Sequence, residues 1–253
     1  MLILQQKRHG INFYKVWFAK QSIKKAGIVT YYEYMGEKPE VDCVEFDTLI
    51  TDLTEDEDVI KQHFSKSCKY NINRAMREDV VIHILQPSEI KGQDLTQFCD
   101  FFEAFWGSKG SDLKNKQRLM QELSEYNEQG ALTISYAEVN GEVAVYHTHI
   151  SDGQIARSWH SASLYRLQED EEGSAKKLIG MANRLLHFED MKHFKKLGFS
   201  TYDWGGAGHA EDVIHITEFK ESFGGTPVVY YNFEQTNGIM AKLFKVLVRI
   251  LGK

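Results

Sequence analysis

Two dipeptides that favour tight turns, Asn140-Gly141 and Asp152-Gly153, separate three runs rich in β-branched and aromatic residues. The two central residues of a short hairpin turn need positive φ angles, which Asn, Asp and Gly adopt more easily than other residues. The spacing therefore predicts a three-stranded antiparallel meander over residues 131–161.

The segments on either side of the meander alternate between strand and helix patterns. VVIHIL at 80–85 is typical of a strand, and apolar residues at helical spacing follow it up to residue 123. A long helix is predicted over about 173–196, with Gly198 at its end. The strand STYDW, a helix over 211–222 and the strand TPVVYYNF complete the order β-α-α-β-β-β-α-β-α-β. This order predicts an α/β fold, a mixed sheet with helices on both faces.

The first 79 residues have a weaker pattern. Residues 26–35 and 41–53 are predicted strands. Thr54-Glu55-Asp56-Glu57 has the T-x-x-E form of a capping box, which predicts a helix start at Thr54. A second helix is predicted over 67–78. We therefore expect a partial N-terminal lobe (1–79), a main domain (80–235) and an amphipathic C-terminal helix (236–253).

Composition excludes several classes of protein. The 253 residues carry 30 Lys and Arg against 36 Asp and Glu, a net charge of −6, which argues against binding of long nucleic acids by charge alone. Cys43, Cys68 and Cys99 form no CxxC pair, which favours a reducing compartment. The apolar run at the amino terminus is too short for a signal peptide, and no stretch reaches a membrane-spanning length. We predict a cytoplasmic protein.

Three segments resemble those of one family. They are KSCKYNINRAMRED at 66–79, YDWGG at 202–206 and FKESFGG at 219–225. In this order, and with the element order of residues 80–235, they resemble the Fem-type acyltransferases of the GNAT superfamily. Fem-type enzymes carry two GNAT-like halves, whereas residues 1–79 are too short for a full first half. A helical arm of the kind used around transfer RNA is also missing, which favours acyl-CoA over aminoacyl-tRNA as the donor.

The resemblance implies a catalytic pair. Acyl transfer needs a polarised donor carbonyl, a deprotonated nucleophile and a stabilised oxyanion. In the family the FKxxFGG lysine is placed near the donor ester, which here implies Lys220 as the charge-stabilising group and Phe219 as the wall beside it. The alternative is that Lys220 is an ordinary solvated lysine. Asp203, in the YDWGG segment, either orients a substrate group or satisfies loop amides.

Further binding residues are predicted from charge and position. Five basic residues and no acid lie between residues 61 and 77. From them we predict Lys69, Arg74 and Arg77 as ligands of an anionic substrate, the alternative being a solvated helix face. On the third meander strand, Trp159 and His160 are predicted substrate contacts.

Two further parts of the sequence bear on a metal site and on the binding site of the acyl donor. His147 and His149 share one strand face, but the sequence supplies no third ligand, so we predict no metal. GNAT enzymes hold the CoA pyrophosphate at the start of the long helix, which implies Gly173, Ser174 and Ala175 as cofactor-binding residues. The four acidic residues at 169–172 would oppose a pyrophosphate unless they point away from it.

The leading hypothesis is an acyltransferase that moves an acyl group from acyl-CoA to an amino group of an anionic sugar or peptidoglycan-type precursor of the cell envelope. One alternative is an aminoacyl-tRNA-dependent transferase, in which case nucleic acid is also a partner. Another is a catalytically degenerate module that binds an anionic sugar nucleotide. The C-terminal helix either docks on the domain or lies on an anionic membrane as a peripheral contact.

Overall fold

The computed structural model describes residues 1–167, 173–208 and 214–250. The strands are β1 (Leu2–Arg8), β2 (Ile11–Trp17), β3 (Gly27–Tyr34), β4 (Cys43–Asp52), β5 (Val80–Leu85), β6 (Leu132–Val139), β7 (Glu142–Ser151), β8 (Ile155–Ser163), β9 (Thr201–Asp203) and β10 (Thr226–Asn237). The helices are α1 (Glu57–His63), α2 (Lys66–Ala75), α3 (Gly92–Gly107), α4 (Lys116–Glu128), α5 (Ser174–Lys196), α6 (Ile214–Glu221) and α7 (Ile239–Ile250), and Leu164–Leu167 form a short 3-10 helix. Within these described ranges, no helix is long and apolar enough to cross a membrane.

The chain forms two compact units. The terminal unit comprises Met1–Thr48 and Pro227–Lys253, and the central unit comprises Leu49–Thr226. These bounds differ from the predicted 1–79, 80–235 and 236–253. The difference arises because β10 pairs with β3, whereas the end of β4 pairs with β9.

The central unit is built on a mixed sheet in the order β4-β9-β8-β7-β6-β5. The predicted meander of β6, β7 and β8 is present and antiparallel, with positive φ at Asn140 and Gly141 in its first turn. β9 runs parallel to β8 and antiparallel to β4. Helices α2 and α5 cover one face of this sheet, and α3 with α4 covers the other, where Phe98 and Phe101 contact Tyr146. The predicted mixed α/β fold is confirmed.

The core between α2, α5 and the sheet is apolar and aromatic. Its fully buried members include Ile72, Phe188, Phe194, Tyr202 and Phe223. The predicted apolar face of the long helix, which spans Ser174–Lys196, enters this core through Leu185, Phe188 and Met191. This packing fixes α5 against the sheet and so determines which of its polar residues point inward.

The capping box predicted at Thr54 is wrong. Helix α1 begins at Glu57 after Asp56, which makes no side-chain capping hydrogen bond. Thr54 instead donates from its backbone N–H and its hydroxyl to Oδ1 of Asp52, at 2.8 and 2.6 Å. The Thr54 hydroxyl, which the sequence pattern predicted as the cap of the helix, is therefore engaged in a local turn with the Asp52 side chain.

The terminal unit contains a small sheet in the order β1-β2-β3-β10. Residues such as Val16, Val29, Tyr31 and Phe233 form the core on one face of this sheet. Helix α7 packs on the other face. The helix predicted at 236–253 is thus present over Ile239–Ile250.

Candidate active site

A cavity of about 650 Å³ lies in the central unit, beside β8 and next to the residues that follow β9. Its lining comes from α3, β8, the 3-10 helix, α5, α6 and the YDWGG segment. The lining residues are Phe105, Lys109, Ser158, Trp159, Ser161, Ser163, Tyr165, Arg166, Asn183, His187, Trp204, Gly205, His215, Ile216, Phe219 and Lys220. These described lining residues include three cations, Lys109, Arg166 and Lys220, and no Asp or Glu. The cavity therefore suits an anionic ligand, although the chain as a whole is acidic.

The edge of the cavity is set where the parallel strands β8 and β9 stop pairing, at Arg157 and Asp203. Just beyond, Gly205 has a φ of 67°, and a β carbon there would lie 2.1 Å from the carbonyl oxygen of Ser158. Only glycine fits this approach. The buried carboxylate of Asp203 accepts a hydrogen bond from the N–H of Gly205 at 2.8 Å. The backbone of Gly205 thus packs closely against the backbone of Ser158, and the Asp203 carboxylate accepts the hydrogen bond of a loop amide.

A β-bulge in β8 decides which side chains reach the cavity. Ser158 lies opposite His149 and His160 lies opposite Thr148, so Trp159 is an extra residue in the strand. Trp159 lines the cavity. His160 shares a sheet face with Thr148, and its Nδ1 lies 2.7 Å from the Thr148 hydroxyl oxygen.

Lys220 and Phe219 both line the cavity, from α6. The ammonium of Lys220 donates to the carbonyl oxygens of Gly205 and Gly206, at 3.1 and 2.5 Å. The ring of Phe219 lies 4.4 Å from the guanidinium carbon of Arg184. Lys220 therefore fixes the double-glycine loop and places a positive charge at the cavity wall.

Behind the cavity wall lies a buried polar network that joins β7 to α5. His147 Nδ1 donates to Asp190 Oδ2 at 2.8 Å, and its Nε2 lies 2.8 Å from Asn183 Oδ1. The rings of His147 and His187 are 3.9 Å apart. Because Asn183 and His187 also line the cavity, the network connects the cavity to the buried carboxylate.

The hydroxyl of Tyr202 on β9 extends this network. It lies 2.9 Å from His187 Nδ1 and 3.0 Å from His149 Nε2. Tyr202 is fully buried, so its hydroxyl has its partners within the protein. The contacts hold the His187 ring in one orientation at the cavity wall.

Burial determines the charge of these groups. It lowers the pKa of His187 well below its ordinary value and lowers the pKa of His149 to about 4. Burial acts to raise the pKa of Asp190, but His149 and His147 outweigh it, and the pKa of this carboxyl is lowered. His187 is therefore a neutral imidazole near neutral pH.

A second, more open cavity of about 380 Å³ shares part of this lining. Its basic residues are Lys176, Lys177 and Arg184 on α5, and Asn71 of α2 borders it. Nη1 of Arg184 is buried and makes no hydrogen bond within the described residues. Three cations, one of which has an unsatisfied guanidinium nitrogen, fit an anionic group such as a phosphate.

The comparison with family models decides the family. Residues 62–221, well over half of the chain, match the acetyltransferase (GNAT) domain. The chain belongs to the GNAT acyltransferase family. None of the curated proteins matches the sequence.

Solved structures show the same fold for this GNAT protein. FemX aligns with a TM-score of 0.58 and 12% sequence identity, over 80% of this chain and 63% of the FemX chain. This chain therefore spans less than two thirds of the length of FemX. L-PGS from Bacillus licheniformis aligns with a TM-score of 0.52 and 14% identity, over 90% of this chain and 74% of the other. At these identities the likeness concerns the fold alone, and in that sense it bears out the Fem-like resemblance.

The buried His147, His187 and Asp190 of this GNAT protein could also be considered as metal ligands, since their ligand atoms lie within 4.8 Å of one another. Tetrahedral zinc with Zn–N bonds near 2.0 Å would separate its ligand atoms by about 3.3 Å. The 2.8 Å between His147 Nδ1 and Asp190 Oδ2 is instead a hydrogen-bond distance. The geometry favours a proton-sharing pair.

The structure does not bring the predicted basic ligands on α2 to either cavity of the GNAT protein. Arg74 pairs with Glu78 at 2.6 Å, an i, i+4 ion pair on the exposed surface. Lys69 donates to the carbonyl oxygen of Gln62 at 2.9 Å, and Arg77 is exposed. The three residues lie away from both cavities because α2 packs its buried face, and not its basic face, against α5. Their role in binding stays a prediction.

The remaining predicted residues are placed as follows. Gly173 precedes α5 in a left-handed conformation, and Ser174 and Ala175 are the first residues of the helix, next to the basic pair that borders the second cavity. The acidic residues 169–172 lie outside the described residues. His160 packs against Phe102, at 5.1 Å between ring centroids, and is not one of the described residues that line the cavity. Its role as a substrate contact stays a prediction.

Sequence reasoning missed the polar face of α5. Asn183, His187 and Asp190 follow an i, i+4, i+7 spacing, which places them on one side of a helix. Arg184 lies beside this face. Three polar residues at helical spacing usually indicate a solvated face, and only the burial of His187 and Asp190 distinguishes this one.

Proposed function

We propose that this GNAT protein transfers an acyl group from acyl-CoA to an amino group of an anionic sugar or other cell-envelope precursor. The observation that carries the proposal is the cavity beside β8, which Lys109, Arg166 and Lys220 make positive in an acidic chain. Both substrates of the proposed reaction carry phosphate or carboxylate groups, which such a cavity attracts.

The second cavity supports acyl-CoA as the donor. It borders α5 close to the helix start, and Arg184 offers it a buried nitrogen without a hydrogen bond in the described residues. A helix start together with basic side chains is a favourable place for a pyrophosphate. We therefore assign the donor phosphates to Lys176, Lys177 and Arg184 rather than to the α2 basic residues.

The chemistry follows from the residues at the cavity wall. The amine nitrogen attacks the thioester carbonyl carbon, a C–N bond forms, the C–S bond breaks, and CoA leaves as its thiol. Lys220 stabilises the negative charge that develops on the carbonyl oxygen. His187 accepts the proton that the amine loses and passes it to the sulfur of the departing CoA, and Tyr202 holds the ring for this transfer.

The FKESFGG segment keeps aminoacyl-tRNA as a second candidate donor. The same Lys220 would stabilise the oxyanion formed from an aminoacyl ester. The two donors differ in size and in the bond that breaks during transfer. A single binding screen that contains both shows which of them the protein binds.

A thermal-shift screen with acetyl-CoA, longer acyl-CoAs, UDP-sugars and charged transfer RNA tests the proposal. A ligand of the native state raises the unfolding midpoint by mass action. Any acyl-CoA that binds is then incubated with amino sugars and UDP-amino sugars, and acylated product is measured by mass spectrometry. Binding of acyl-CoA with product formed by the native protein but not by Lys220→Met would support the proposal. A midpoint raised only by charged transfer RNA would overturn acyl-CoA as the donor.

A further inference from the structure

Helix α7 uses only part of its apolar surface to pack on the terminal unit. Ala241 is buried, and the ring of Phe244 packs edge-on against Phe13 at 5.9 Å between centroids. Together with Ile11 and Ile28 these residues form a small core between α7 and the strands. The helix is therefore held in one orientation on the sheet.

A second apolar face of α7 has no cover within the described residues. Its members are 55–78% exposed and comprise Ile239, Met240, Leu243, Val246, Leu247 and Ile250. Ile239, Leu243, Val246 and Ile250 recur at i, i+4, i+7 and i+11, so they form one continuous stripe. Single exposed apolar residues are normal, but a contiguous stripe marks an interaction surface.

The charges on α7 itself are of one sign. α7 contains Lys242, Lys245 and Arg249 and no acidic residue. Pairing places Arg8 opposite Ile11, which puts Arg8 on the sheet face that carries α7. On that face the acidic Glu234 pairs with Lys245. Lys242 and Arg249 remain beside the stripe as uncompensated positive charges among the contacts described.

The exposed apolar residues and the positive charges together indicate what binds the stripe. A second copy of the chain docked through the same stripe would bring Lys242 and Arg249 near their own equivalents, and like charges repel. An anionic lipid surface instead offers an apolar layer and a negative layer side by side. Twelve residues of helix are about 18 Å long, too short to cross a bilayer, so the helix would lie in the interface.

We propose that α7 binds the surface of an anionic phospholipid bilayer, with the stripe in the headgroup boundary and Lys242 and Arg249 at the lipid phosphates. The proposal does not depend on the donor or acceptor of the acyl transfer. It goes beyond the proposed function because it concerns where the enzyme works.

Flotation of the full chain with lipid vesicles tests the proposal. One vesicle is phosphatidylcholine alone, and the other is an equimolar mixture of phosphatidylcholine and phosphatidylglycerol. We expect the native protein to float with the anionic vesicles and to bind them less as salt rises. Leu243→Gln combined with Leu247→Gln should abolish flotation, and Lys242→Gln or Arg249→Gln should weaken binding about fivefold each.

Val81→Gln, which alters a half-exposed valine of the central unit, is the matched control and should float like the native protein. Circular dichroism confirms that each variant keeps its helices, and the altered leucines are exposed, so folding is expected to be unaffected. Failure of the native protein to bind anionic vesicles would overturn the proposal. So would a native dimer, seen by light scattering, that the double leucine variant lacks, because the stripe would then bind a second copy.

Discussion

Lowering the pH from 7 to 5 is expected to destabilise the central unit, because several histidines are buried in neutral form. Burial lowers the pKa of His149 to about 4 and that of His160 to about 3, from an ordinary value of 6.5. In the unfolded chain both imidazoles take up a proton as the pH falls through 6.5. In the folded protein they stay neutral at pH 5. The unfolded state then binds more protons, so stability decreases as the pH falls.

The size of the effect follows from these pKa values. Between pH 7 and pH 5 each of the two histidines removes about 2 kcal/mol from the free energy of unfolding, or about 4 kcal/mol together. His187, whose pKa is lowered well below the ordinary value, acts in the same direction. Asp190 also has a lowered pKa, and its stabilising contribution is lost only at lower pH, below the range of this experiment.

Urea unfolding followed by tryptophan fluorescence at pH 7, 6 and 5 measures the change. His160→Gln removes one titrating group and should reduce the pH 7 to pH 5 difference by about 2 kcal/mol. His215→Gln, which alters an exposed histidine, is the control and should leave the difference unchanged. Equal stability at pH 7 and pH 5, or a difference that His160→Gln does not alter, would refute the conclusion that buried neutral histidines cause the loss of stability.

Three other outcomes are expected. Lys220→Met should lower turnover by about 100- to 1000-fold while acyl-CoA still binds, because the charge acts mainly on the transition state, as measured by product formation and thermal shift. Gly205→Ala should destabilise the protein more than Gly153→Ala in urea unfolding: both have positive φ, but only at Gly205 would the new carbon meet backbone, whereas Gly153 has open space. Arg184→Met should weaken acyl-CoA binding about tenfold at low salt and less at high salt, whereas Arg74→Met, on the outer surface, should not, as measured by titration calorimetry.

Each of these outcomes has a result that contradicts it. Unchanged turnover in Lys220→Met would make Lys220 a loop-fixing residue only. Similar stability losses at Gly205 and Gly153 would mean that β8 yields easily at the carbonyl of Ser158. Equal effects at Arg184 and Arg74 would remove the second cavity as the donor-phosphate site.

Much of the candidate site lies in segments that the sequence identified through motifs. Phe219, Lys220, Trp159 and Asp203 all lie at or beside the cavity. Motif glycines and aromatic residues can be found this way because each motif is a local pattern. The charge pattern on α2 was less informative, since Arg74 finds Glu78 one helical turn away.

The sequence alone determined the elements whose cause is local. The meander follows from turn residues that accept positive φ, as Asn140 and Gly141 do, and β5 occupies the predicted residues 80–85. The tertiary structure alone decided the features that depend on pairing between residues far apart in the sequence. Backbone hydrogen bonds are alike in every strand, so no local pattern indicates that β4, and not β10, lies beside β9. The pairing of His147 with Asp190, 43 residues apart, exists only because α5 packs on β7, and that packing turns an ordinary polar helix face into part of the wall of a cavity.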